Sequence, residues 1–487
     1  MKRTFLTALF LLTAATLFAT EVKITVIQTT DIHGEQRFAS LARLIAQERK
    51  ADPQILLVDC GDLSRGSQEA YADGGAASVE MLNFLKYDVW VPGNHEFRIG
   101  QKLFRRNLDL FKSGDVLAAN LAFTREGIAP ERPILPWKMY ERYGLRIAVI
   151  GLVSPHYDYW FNTSVYDGME LLNPGKIMAK TMEEIRKAKA DVVIIAGHLD
   201  FKTSTEVAAG KSIGMQEVLT PYPEISLFLA GHTHRTLPAT EVMPNLWTVQ
   251  PPIHATAAAK ITMTFDKKAK KITSVTSEFL TSKNVEPLEG LPQIWYDTQK
   301  AAAQMKATPI VQLPESLIST PGKNTELQKL FARSVAEAVN ADAAIVRNYM
   351  GRRKIKNPLW TRMDFKNMIG NEYSISTITL TPAQLKLVLT ELKPSPERVY
   401  GLDLENLPEK NVTVAFDAYD ITGCDGAYPL LRAFIFYDTM YLDHYYPRSF
   451  KDKLNAVDFR SATHKHYDTN VRDAFMNFMI KNFPVKK

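Results

Sequence analysis

The sequence predicts a two-domain protein of the α/β (α+β) class, on two observations. From Val22 to about Leu280 one pattern recurs, an apolar, β-rich run that stops at Gly, Asp, Asn or His before a helical stretch. After about Gly322 amphipathic helices and short strands begin again, with their own apolar positions.

In chain order, residues 1–20 come first. Lys2 and Arg3 precede an apolar stretch, Phe5–Phe18, that ends on the small residues Ala19 and Thr20, so a secretory signal is expected there. The stretch is shorter than the ~20 apolar residues of a spanning helix, and no later segment could span. The first domain is expected over 21–285. Its runs are Val22–Thr29, Ile55–Val58, Val89–Val91, Val192–Ala196 and Ile225–Ala230, continuous enough for strands buried on both faces. Residues 286–322 are richer in Pro, Ala and Gln and read as a linker, helical around Gln293–Met305. The second domain, 323–487, opens with a helix capped near Asn324, whose Leu327, Leu330, Phe331 and Ala338 keep helical spacing, Ser334 being the polar exception. A strand is expected at Ala343–Val346 and another at Ser374–Leu380. The second runs into Thr381-Pro382-Ala383-Gln384, an N-cap, first-turn proline and capping-box glutamine. Val471, Ala474, Phe475, Phe478 and Met479 predict a last helix.

Bulk properties narrow the function. The 487 residues are 46% hydrophobic and 23% charged, enough for two or three domains, each with its own core. The formal charge is +6, and +4 without residues 1–20, which carry two basic residues and no acid; this is too mild to suggest a nucleic-acid polymer as partner. Cys60 and Cys424 lie far apart and read as unpaired thiols, and no cysteine follows the leader where a lipid would attach. A periplasmic or secreted product without a membrane anchor is therefore expected. The sequence sets no oligomeric state.

Each of the five runs leads into residues that bind metals: Asp31-Ile32-His33, Gly61-Asp62, Gly93-Asn94-His95-Glu96, Gly197-His198 and Gly231-His232-Thr233-His234. Singly, each could be a turn with a satisfied histidine. Together they place carboxylates, an amide and imidazoles at the carboxyl ends of strands, where α/β folds gather ligands. Oxygen and nitrogen donors without thiolate suit divalent Mn, Zn, Fe or Co alike. Cys60 reads as a small packer. His156 and His254 lack partner spacing and are set aside.

This order of motifs resembles the calcineurin-like metallophosphoesterases, and more narrowly the exported 5'-nucleotidases and 2',3'-cyclic-nucleotide phosphodiesterase/3'-nucleotidases, whose Gly-Asp and Gly-Asn-His-Glu-Phe surroundings are similar to Gly61–Ser67 and Gly93–Phe97. The resemblance implies a four-layer αββα sandwich followed by a 5'-nucleotidase-like α/β domain that binds substrate. It implies two divalent metal ions, the first on Asp31, His33 and His234, the second on Asn94, His198 and His232, with Asp62 between them and metal-activated water attacking phosphorus. His95 matches the family's catalytic histidine, acting as a cation on the phosphoryl group or the leaving oxygen. One position departs: where typical 5'-nucleotidases place an aspartate that orients this histidine, the chain has Arg98, and the cyclic phosphodiesterase branch also lacks that aspartate.

In the second domain the resemblance carries Arg353, Asn371, Tyr419 and Asp425 to substrate-binding positions, while Ile369 replaces one of two base-stacking rings. The implied substrate is a small phosphate ester, a nucleotide first. A sugar phosphate, nucleotide sugar or sulfur ester on the same two metals is the alternative, and a non-catalytic exported binding protein the third reading.

Overall fold

The computed structural model describes residues 21–485 except 125–128, 156–167, 200, 202–214, 319–324, 351–354, 371–372, 418–428 and 437–447. The expected leader, the Asn324 cap, Cys424, His156, Arg353, Asn371, Tyr419 and Asp425 therefore lie outside the described residues.

The apolar runs form two six-stranded sheets. In the first, Glu21–Thr29, Leu56–Asp59, Val89–Trp90 and Asp115–Val116 lie side by side in parallel, so their carboxyl ends share one edge. Ala257–Asp266 pairs antiparallel with Glu21–Thr29, from Glu21 opposite Asp266 to Gln28 opposite Ala259, and Lys271–Thr281 closes that side. In the second sheet Leu145–Val153, Val192–His198, Ile225–Leu229 and Leu246–Gln250 are parallel, flanked by antiparallel Trp137–Arg142 and Leu237–Met243.

Side-chain alternation sets how the sheets stack. Ile147, Val149, Val153, Ile194 and Ala196 point into one core with Ile24, Val26 and Leu57 of the first sheet. Ala148, Ile150, Leu152, Val193 and Ile195 point the other way, onto Met178, Met182 and Ile185 of helix Pro174–Lys187. Helices Phe38–Ala51 and Ala76–Leu85 contribute Phe38, Leu41, Ile45, Val79 and Leu82 to the first core. The order is helices, sheet, sheet, helices.

The helix expected around Gln293–Met305 runs Gln293–Ala307. It is more than a connector, since Trp295 enters the first core edge-on to Phe38 at 6.4 Å, and Thr298 Oγ1 donates to Asp73 Oδ2 at 3.0 Å.

Beyond it a five-stranded sheet runs in the order Val399–Tyr400, Ala343–Ile345, Val412–Asp417, Ser374–Leu380, Thr463–Asn470. Helices Thr325–Ala338 and Val471–Asn482 bury Leu327, Phe331, Phe475 and Met479 in one core, and helix Pro382–Leu392 buries Leu385 and Val388 in another. The Thr381–Gln384 box closes both ways: Thr381 N–H donates to Gln384 Oε1 at 2.9 Å and Gln384 N–H to Thr381 Oγ1 at 3.3 Å. Ser334, polar on an apolar face, is satisfied by donating to Phe331 O at 2.7 Å.

Candidate metal centre

Six of the predicted side chains meet where the strand ends converge. One group comprises Asp31, His33, Asp62 and His234, another Asp62, His198 and His232, and within each group one donor atom per residue lies within 4.8 Å of the others. Asp62 belongs to both. Asn94 joins the second group, its Oδ1 3.0 Å from His198 Nε2.

The backbone is bent to bring them there. Asp31, His33, Asp62, His232 and His234 all have positive φ, between 51° and 76°. L-residues occupy this region at a cost of about 1–3 kcal/mol each, and such strain gathers at functional sites. The loops splint one another: Asp31 N–H donates to Gly61 O and His33 N–H to Asp62 O, both at 2.8 Å, and His232 N–H to Asp31 Oδ2 at 3.1 Å. Gly93 is required for a different reason. A Cβ there would stand 2.3 Å from both the nitrogen and Oδ1 of Asp62.

The rings face inward because their outer nitrogens are taken. His33 Nδ1 donates to Arg65 O at 2.7 Å and His198 Nδ1 to Cys60 O at 2.6 Å. Holding Nδ1–H on a carbonyl directs Nε2 into the site, where it can bind a metal once free of its proton. There His33 Nε2 faces His234 Nε2 at 3.2 Å, and His198 Nε2 faces Asn94 Oδ1 and Asp62 Oδ1, the latter at 3.2 Å. Basic atoms at such distances repel unless positive charge, a ring proton or a metal ion, lies among them. Asp31 Oδ1, fully buried, joins them 3.2 Å from His234 Nε2. The donor set thus fits cations.

Its electrostatics agree. Burial alone would depress His198, but the Asp62 and Asp31 carboxylates outweigh it and push the ring up to about 10. His232 is pushed down to about 4, by burial first and the neighbouring His198 second. Burial raises Asp62, yet the surrounding His198 and His95 hold it well below the usual carboxylate range. His33 is lowered by burial, and His234 is raised by its pairing with Asp31.

His95 follows Asn94 in the short helix Asn94–Arg98, with Nε2 3.8 Å from Asp62 Oδ2. Burial, with His33, Arg65 and Arg98 nearby, drives it well below the ordinary histidine range against the pull of Asp62.

Three contributors escaped the sequence reading. Glu96 is fully buried and accepts four backbone N–H groups: Asp62 and Gly93 donate to Oε2 at 2.9 and 2.6 Å, Leu63 and Ser64 to Oε1 at 2.9 and 2.8 Å. It ties the Asp62 loop to the Asn94 loop, and its place in Gly-Asn-His-Glu was the available signal. His254 stands 5.1 Å from the His33 ring, its backbone N–H donating to Asp31 O at 2.8 Å, and pairs with Glu35 at 3.4 Å. Arg65 reaches His95 Nδ1 at 3.3 Å. Neither carries a spacing that sequence could reveal. Cys60 is a packer: it is wholly buried, which pushes its thiol up, and only its carbonyl serves the site.

Residues 24–236, which contain this cluster, match the family described as calcineurin-like phosphoesterase. The chain carries a calcineurin-like phosphoesterase domain. Around that domain it is 25% identical over 252 residues to a Haemophilus influenzae 2',3'-cyclic-nucleotide 2'-phosphodiesterase/3'-nucleotidase, covering 45% of this chain and 37% of that one. The chain thus spans well under half the length of that relative. An uncharacterised metallophosphoesterase of Bacillus subtilis is 22% identical over 476 residues, 95% of this chain and 94% of its own. Among solved structures, a candidate 5'-nucleotidase from Staphylococcus aureus, in complex with alpha-ketoglutarate, superposes with a TM-score of 0.68 at 17% identity, covering 95% of this chain and 98% of its own. That likeness extends the shared fold beyond the phosphoesterase domain to the second sheet-and-helix unit.

Proposed function

We propose that the protein is an exported phosphoesterase that hydrolyses nucleotides at two divalent metal ions. The observation carrying this reading is the convergence of metal-binding side chains from five separate strand ends into two groups that share Asp62. Asp31, His33 and His234 would hold one ion, Asn94, His198 and His232 the other, and Asp62, common to both groups, would bridge. Ions held there would supply Lewis-acid chemistry, activating water for attack on phosphorus and neutralising charge on the phosphoryl oxygens.

The chain's own residues do the rest. The carbonyls of Arg65 and Cys60 fix the tautomers of His33 and His198. Glu96 holds Asp62 in register with Asn94, and His95 presents its ring to the phosphoryl group. Arg353, Asn371, Tyr419 and Asp425 are proposed to hold the remainder of the substrate. Residues 1–20 are proposed as the export signal of a periplasmic or secreted protein; no helix among the described residues is long and apolar enough to cross a membrane.

The test is purified protein loaded in turn with Mn, Zn, Fe and Co, offered nucleoside monophosphates, 2',3'-cyclic phosphates and an aryl phosphate. Metal-dependent phosphate release is expected. Absence of turnover with every ester and metal would overturn the reading. One observation favours the second reading, a non-nucleotide ester at the same metals: Ile369, at the position of a base-stacking ring, is fully buried in the second domain's own core and has no face to offer a base. Adding a sugar phosphate, a nucleotide sugar and a sulfur ester to the panel separates the two by which is turned over fastest.

A further inference from the structure

A cavity of about 700 Å³ lies where the loop 65–67 and helices Gln68–Asp73 and Gln101–Leu110 of the first domain meet Lys366 and the start of helix Val471–Asn482 in the second. That volume suits a small molecule. Four cations line it, Arg65, Arg106, Lys366 and Arg472, against two carboxylates, Asp73 and Asp473. Arg106 Nη2 donates to Asp73 O and Gly74 O, both at 2.9 Å, and Lys366 Nζ reaches across the domains to Gly66 O at 2.7 Å. Arg472 is 1% exposed and also crosses, its guanidinium carbon 4.3 Å from the centre of the Tyr71 ring. Carbonyls and ring faces orient a cation without cancelling its charge. The carboxylates are engaged with other groups. Asp73 accepts Gly75 N–H and Ala77 N–H at 2.7 Å and Thr298 Oγ1 at 3.0 Å, and Asp473 Oδ2 accepts Asn470 Nδ2 at 2.7 Å, its Oδ1 standing 3.9 Å from Arg472 Nε. The wall therefore carries a surplus of fixed positive charge. It also adjoins the metal centre. Arg65 reaches His95 Nδ1 at 3.3 Å, and a Cβ on Gly66 would stand 2.6 Å from that of His33.

We propose that this cavity receives a second phosphate carried by the alcohol portion of the substrate, so that the preferred substrates are phosphate monoesters of an already phosphorylated alcohol, such as nucleoside 3',5'-bisphosphates. The inference rests on the hydrolase reading above. Water adds to the scissile phosphorus, and the ester P–O bond breaks with its electron pair on the alcohol oxygen. That oxygen takes up a proton released by the water, and the alcohol leaves with its second phosphate intact. The cations act on the phosphate that does not react, so their contribution falls on binding and on the choice of substrate.

Matched substrates test it: a nucleoside 3',5'-bisphosphate against the nucleoside 3'-monophosphate, which differ only in the distal phosphate. At low salt the parent should show a kcat/KM at least about tenfold higher for the bisphosphate, chiefly through KM, and should lose most of that advantage near about 0.5 M salt. Ala72→Glu adds a carboxylate to the wall and leaves every cation in place, while Lys366→Met removes one cation and keeps an apolar stem. Both should cut the advantage to within about threefold. No advantage in the parent, or one that both variants leave intact, would overturn the proposal.

A second measurement needs no turnover. With the full chain in excess chelator, calorimetry should find the product of that reaction, a nucleoside 5'-monophosphate, bound at least about tenfold more tightly than the nucleoside, and Ala72→Glu should remove the difference. Equal binding of the two, no binding of either, or a difference that survives Ala72→Glu would refute the cavity's role. Failure of every ester in the first assay would sink the hydrolase reading, while this measurement still decides whether the cavity holds a phosphate.

Discussion

Glu96→Gln is the sharpest probe of how the site is held together. The carboxylate accepts four buried backbone donors, two on each oxygen. A glutamine amide offers one oxygen, so whichever way it turns, two N–H groups face an NH2 and go unmet. Each buried donor left without a partner costs about 1–3 kcal/mol, or roughly 2–6 kcal/mol for the pair, a large part of a typical domain's stability. One term works the other way. Burial and the neighbouring Asp62 raise the pKa of Glu96, against the pull of its N–H donors, so removing the charge relieves some repulsion. The lower end of the range is therefore expected, about 2 kcal/mol. Since the strained unit is the Gly61–Ser64 loop against Gly93, the loss should appear first as local opening. Hydrogen exchange of peptides spanning 61–66 and 93–96 should quicken by roughly thirtyfold, with little change in Val412–Asp417. Turnover should fall with it, since Asp62 is no longer held in place. Exchange in those peptides unchanged within about threefold, with activity retained, would show that the four bonds do not hold the loops.

Three further outcomes are expected. Because His198 is pushed up to about 10 in the metal-free protein, it carries a proton at pH 7.5, and that proton must leave when an ion takes Nε2. Affinity should therefore weaken as pH falls, and calorimetry in buffers of differing ionisation enthalpy should show proton release; a buffer-independent heat would contradict the ligand assignment. Gly93→Ala forces a methyl group onto the Asp62 backbone, and should cost about 1–3 kcal/mol in thermal or denaturant unfolding along with most of the turnover. Thr381→Ala removes a helix cap far from the metals and should cost about 1 kcal/mol while leaving kcat unchanged, which separates loss of stability from loss of the site.

How far the fold was legible follows from what each segment depends on. The run Val22–Thr29 became Glu21–Thr29, Ile225–Ala230 became Ile225–Leu229, and Ser374–Leu380 needed no adjustment, because apolar content and a following turn signal suffice for a buried strand. Leu145–Val153 is just as apolar yet was not singled out, since it ends on Ser154 and Pro155 with no metal-binding residue to draw notice. Ala257–Asp266 joins the first sheet by pairing with Glu21–Thr29 across more than two hundred residues, which no local pattern announces, and Lys271–Thr281 follows it by a short hairpin. The site divides the same way. Side chains in Asp-x-His or Gly-His motifs are visible in sequence, whereas Arg65 and His254 gain their meaning from where a loop returns.

The left-handed backbone at five ligand positions links fold to chemistry. A strand ending in an ordinary turn would aim its next side chain outward, along the strand or into solvent. With positive φ at Asp31, His33, Asp62, His232 and His234, the chain doubles back and each side chain points across the strand ends at its neighbours. At about 1–3 kcal/mol apiece this arrangement is costly, and no one loop could sustain it alone. It persists because Asp31, His33 and His232 each donate a backbone N–H to another ligand loop. The ligands are therefore one mechanical unit before any ion arrives, so substitutions among them should be strongly non-additive, the second costing far less than the first.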